Sequence, residues 1–158
     1  MGATDCQYFS STTVPATDTT PPATWDGVWT NGDYAALRAN PGSFIYHIPL
    51  GAQVIAVSSG MDDGGVSKVT TATEEGWLCC SGNICSSTGS LSSPTIATQD
   101  GSIGSTVSNG VWTGLTVQAH NFCNAGFTLT SYRFAWTTTA EDFHGNKTVG
   151  STQQIVYP

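Results

Sequence analysis

The chain has 158 residues, enough for one domain that buries a sizeable core without a metal staple. Four Lys and Arg against eleven Asp and Glu leave a net charge of -7, which argues against nucleic acid and anionic membrane surfaces as partners. Ser, Thr and Gly stand where the Lys/Glu surfaces of helices would be, and no apolar run is long enough for a transmembrane helix.

Residues 1–23 read as a linker or N-terminal extension, because the run from Ser10 to Pro22 has no periodicity and its prolines favour an extended form. Trp25 to Asn40 reads as irregular, with turn signals at Asp26-Gly27, Asn31-Gly32 and Asn40-Pro41-Gly42. Within it, Tyr34 to Arg38 is helix-like but too short to persist. From residue 43 onward the pattern is strand after strand. Strands are expected over 43–48, 52–58 and 66–73, with Asp62-Asp63-Gly64-Gly65 as a turn and a short segment around Trp77-Leu78. Residues 79–93 read as a Gly/Ser/Asn loop carrying three cysteines, followed by strands over 94–98 and 111–120.

The closing hairpin is the organising element. Tyr132, Phe134 and Trp136 fall on one face of an extended chain, and Ser131, Arg133 and Ala135 on the other. The polar run from Glu141 to Asn146 then turns the chain, so that 148–157 pairs back. Seven or eight short strands at this spacing predict an all-β antiparallel sandwich or barrel over residues 24–158.

Three motifs carry a resemblance. Asp18-Thr-Thr-Pro-Pro22, Asp62-Asp-Gly-Gly-Val-Ser-Lys-Val69 and Ala140-Glu-Asp-Phe-His-Gly-Asn146 resemble the entry, third-strand turn and closing turn of bacterial immunoglobulin-like domains of secreted and cell-surface proteins. Segment 24–42 is longer than that pattern needs, and the cysteine loop is not part of it. The resemblance implies an immunoglobulin-like Greek-key β-sandwich, which would gather Asp18, Asp62, Asp63, Glu141, Asp142 and Asn146 at one pole, and Cys79, Cys80, Cys85 and Cys123 at the other.

Each pole has a candidate chemistry. Asp62, Asp63, Asp142 and Asn146 offer the hard oxygens calcium takes, and the competing reading is that Asp and Asn cap their own turns. At the other pole His120 with the cysteines could compose a zinc site. Disulfides fit better: adjacent Cys79 and Cys80 cannot easily both ligate, and one bridge from Cys123 to the 79–85 loop, with another tying down Cys6, is the expectation. No Gly-x-Ser-x-Gly elbow exists, His47, His120 and His144 carry no triad spacing, and Glu74 and Glu75 point to opposite faces of a strand, so no enzyme is expected. Trp25, Trp29 and Trp77 flank turns and are the candidates for stacking on sugar rings, whereas Trp112 and Trp136 lie within strands and are expected in the core. Asn146-Lys147-Thr148 fits the glycosylation sequon within a turn.

Met1-Gly-Ala-Thr-Asp lacks the basic start and apolar core of a signal peptide, which leaves a mature fragment or a chain released without secretion, as virion proteins are. The functional expectation is a non-catalytic extracellular spacer or adhesion module that meets other surface proteins. The alternatives are a carbohydrate-binding module and a virion decoration or fibre protein whose N-terminal extension lends a strand to a neighbour.

Overall fold

The computed structural model describes residues 9–30 and 44–158. Cys6, the helix-like fragment Tyr34 to Arg38 and the turns at Asn31-Gly32 and Asn40-Pro41-Gly42 lie outside them. The described chain has twelve strands and no helix: β1 (Ser11–Thr13), β2 (Ala23–Trp29), β3 (Ile45–His47), β4 (Gln53–Met61), β5 (Val66–Ser81), β6 (Ile84–Leu91), β7 (Thr95–Thr98), β8 (Thr106–Ser108), β9 (Gly110–Gln118), β10 (Thr128–Asp142), β11 (Lys147–Val149) and β12 (Gln153–Tyr157).

A seven-stranded sheet is ordered β3-β12-β10-β5-β6, with β11 on β10 and β7 on β5. A three-stranded sheet is ordered β2-β4-β9. Pairing is antiparallel except for β3, which runs parallel to β12. The two sheets enclose one core, in which Tyr132, Phe134 and Trp136 of β10 and Ile155 of β12 meet Val54 and Ala56 of β4 and Val117 of β9. That is the face the sequence assigned to the closing hairpin. β10 pairs with β5 from Thr128↔Cys80 to Asp142↔Val66, and a bulge between Leu129 and Ser131 lets Leu129 and Tyr132 both face inward.

Three stretches differ from the sequence expectation. Ser11–Thr13, inside the expected linker, pairs with β8, and Val14 and Pro22 are buried. The chain therefore docks its entry segment on its own body. Trp25 and its neighbours form β2 rather than an irregular segment, because Asp26 and Gly27 sit in register with Ser58 and Val57 of β4 instead of turning. The 79–93 loop is instead a hairpin, in which β5 runs on to Ser81, Gly82 takes a positive φ of 59° in the turn, and β6 pairs back.

Alternation along β5 sends Cys79 inward and Cys80 outward, so the adjacent cysteines serve different bridges. Cys79 is bonded to Cys123 beside the core, and Cys80 to Cys85, its cross-strand neighbour on β6. The four cysteines are thereby consumed in disulfides, which removes the zinc reading.

Candidate functional site

The outer face of the three-stranded sheet is built from two matching strands. Trp25-x-Gly27 lies on β2 and Trp112-x-Gly114 on β9, flanking β4. Trp25 and Trp112 are both in register with Ser59, and Gly27 and Gly114 both with Val57. Side chains two apart on a strand share a face, so Trp25, Gly27 and Trp29 look outward together while Val28 packs into the core. Strand spacing places Trp25 and Trp112 about 10 Å apart across the sheet, and Trp29 about 13 Å along the strand from Trp25.

Glycine makes this face flat. A Cβ at Gly27 would stand 3.0 Å from the Trp25 ring, and one at Gly114 2.8 Å from Ile55 and 3.5 Å from the Trp112 ring. The Trp25 indole therefore lies down over Gly27, and that of Trp112 leans toward Gly114. Val57 and Ser59, although outward-facing, are buried between them. Trp112 remains 61% exposed, against the expectation that it would be core; Trp136, at 1%, is core as expected. The reason lies in register: Trp112 is opposite outward-facing Ser59, whereas Trp136 pairs with inward-facing Thr73. Asp26 turns inward to Thr138, so no ionisable side chain faces outward in the rows from Trp25 to Trp29, a neutral patch on a chain of net charge -7.

Trp77, the third aromatic candidate, is elsewhere. It sits within β5 on the inward face, half-buried, with its ring 4.7 Å from Phe122. It belongs to a ladder in which Phe122 also stacks 5.5 Å from Tyr132 and His120 tilts on Phe122 at 3.8 Å.

The acidic end forms where the entry segment, the β4–β5 turn and the β10–β11 turn meet. Asp142 is 2% exposed. Its Oδ1 accepts the amides of His144 (2.8 Å) and Asn146 (2.9 Å), and its Oδ2 accepts Asn146 Nδ2 at 2.6 Å. Asn146 also donates to the Asp18 carbonyl. Asp62 Oδ1 accepts Gly64 N and Asp18 Oδ1 accepts Thr20 N, so all three carboxylates cap turns in their own segments. Burial first, and then the charges of Asp18 and Asp142, push the Asp62 carboxyl above its ordinary range, against the lowering effect of the Gly64 amide.

One oxygen each of Asp18 and Asp142 and a ring nitrogen of His144 lie within 4.8 Å of one another, the set best placed to hold a cation here. The calcium expectation named Asp62, Asp63, Asp142 and Asn146. Of these Asp142 joins that set, Asn146 presents its amide donors to Asp142 and to the Asp18 carbonyl, and the Asp63 carbonyl accepts the Thr12 hydroxyl. Glu141 points to the other face, where Lys68 and Lys147 bind it at 3.2 and 3.4 Å. His47 stands exposed on short β3, and Glu74 and Glu75 face opposite sides of β5, Glu74 toward Arg133 at 3.4 Å.

Sequence reasoning reached Trp25 and Trp29 but missed Trp112. The repeated Trp-x-Gly would have flagged it, since each strand sets an indole beside a residue with no side chain.

No protein-family model matches the chain, and no curated protein does. Among solved structures, it is similar to Spo0M, a sporulation control protein from Bacillus subtilis, at 8% identity and a TM-score of 0.36. That likeness covers 85% of this chain and 49% of Spo0M, so the chain spans about half that protein's length, and at this level it carries no inference.

Proposed function

We propose that the chain is a non-catalytic recognition module of an extracellular or particle surface, whose three-stranded sheet binds an uncharged polysaccharide. The observation that carries this reading is the register of Trp25 and Trp112, which brings two indoles to one row of a neutral, glycine-flattened face. Ring faces on a flat, uncharged surface stack on the C–H faces of sugars. The finer fold we propose is the immunoglobulin-like Greek key, supported by the meeting of the Asp18, Asp62 and Asn146 motifs at one end. Two disulfides within the chain favour an oxidising compartment.

The test is retention on a panel of insoluble and soluble neutral polysaccharides. Retention of the intact chain is expected on at least one of them, with loss in Trp112→Ala and in Trp25→Ala and no loss in Trp77→Ala. An empty panel, or retention indifferent to Trp25 and Trp112, overturns the reading.

A further inference from the structure

A second site lies away from that face. A cleft of about 410 Å³ opens beside the free edge of β9, between it and the inward residues of β5 and β10. Its aromatic wall is Phe122, Tyr132 and Phe134, with His120 tilted on Phe122 at 3.8 Å. Into it faces Glu75, whose Oε1 accepts the Tyr132 hydroxyl at 2.6 Å. Burial, and then that hydrogen bond and the Glu75 charge, raise the pKa of the Tyr132 phenol, so the proton stays on tyrosine and the carboxylate is held in place as an acceptor.

Among the described residues no Lys or Arg pairs with this carboxylate. Neighbouring Glu74 has Arg133, and Lys68 and Lys147 both bind Glu141, but no Lys or Arg lines the cleft. A carboxylate in an aromatic-lined cleft draws cations by charge, while the rings cover the apolar groups of an organic cation. The volume is that of a small-molecule site. Sugars have no need of the charge, and anions are repelled by it.

We propose that this cleft binds a small organic cation, an alkylammonium compound, with Glu75 as its counter-ion and Phe122, Tyr132 and Phe134 as its aromatic wall. The site is independent of the polysaccharide face. The probes are choline chloride and 3,3-dimethyl-1-butanol, an isostere of the same shape without the charge, titrated into the intact chain at low salt by calorimetry.

Choline is expected to bind at least about tenfold more tightly than the isostere. Glu75→Gln, which keeps an acceptor for Tyr132, should bring choline down to the isostere's affinity, and Trp112→Ala should leave choline binding unchanged. Absence of choline binding, or equal affinity for the two probes on the unaltered chain, overturns the proposal whether or not the variants fold. So does a Glu75→Gln protein that keeps full affinity. Loss of choline binding in Trp112→Ala would move the cation to the indole face and overturn the cleft, while leaving the polysaccharide reading to its own test.

Discussion

Asp26 is an acid placed between two sheets. It faces inward from β2 beside Ser58, and the Thr138 hydroxyl donates to its carboxylate, while the buried hydroxyls of Ser58 and Thr71 have no partner among the described residues. Burial, opposed by the Thr138 hydrogen bond, raises its pKa from 3.8 to about 6. The folded state therefore favours the protonated acid. The stability this contributes is fully present below pH 3.8 and is lost as pH rises through about 6. Thermal melts of the unaltered chain should fall across that window, and Asp26→Asn should flatten most of the slope, leaving the smaller part that the raised Asp62 contributes. Parallel profiles for the two proteins would contradict the assignment. Tryptophans divide the same way by environment. Trp136→Ala should cost about 3–5 kcal/mol in denaturant unfolding, since it empties the core, whereas exposed Trp112→Ala should change stability by no more than about 0.5 kcal/mol.

At the scale of elements, the bridges differ in what they constrain. Cys79–Cys123 closes a separation of 44 residues and Cys80–Cys85 one of 5. In the loop-entropy picture these contribute about 4 and about 2 kcal/mol. Replacing Cys79 and Cys123 by Ser should therefore lower the unfolding midpoint more than replacing Cys80 and Cys85, and the reverse order would refute that ranking. Near the other end the sheets approach so closely that a Cβ on Gly60 would stand 2.6 Å from that of Ala140. Gly60→Ala should destabilise by about 1–3 kcal/mol, read by the same unfolding curves.

What the sequence made legible follows from burial. β10 announced itself because one of its faces is all core, Tyr132, Phe134 and Trp136 alternating with polar residues. β6 is exposed along its whole length and rich in Ser and Gly, so it has no apolar alternation to read and passed for a loop. β2 was hidden by Asp26 and Gly27, turn formers in isolation that here serve an inward acid and the seat of an indole. Trp112 could not be separated from Trp136 by strand membership alone, because facing depends on a register set by β4 and β5.

As a whole molecule, the sandwich separates its surfaces. The acidic turns and the Cys79–Cys123 bridge lie at opposite ends of β10, the cleft opens at the β9 edge, and the three indoles share the outer face of the smaller sheet. Five tryptophans thus occupy three environments: Trp25, Trp29 and Trp112 on the face, Trp77 against the cleft's aromatic ladder, and Trp136 in the core. The most direct measurement is the set of five indole N–H signals in a nitrogen-15 correlation spectrum, followed while a soluble form of a retained polysaccharide is added. The signals of Trp25, Trp29 and Trp112 are predicted to shift together, with those of Trp77 and Trp136 fixed. Shifts confined to Trp77, or no shift at Trp25 and Trp112, would contradict the claim that the flat sheet face is the recognition surface.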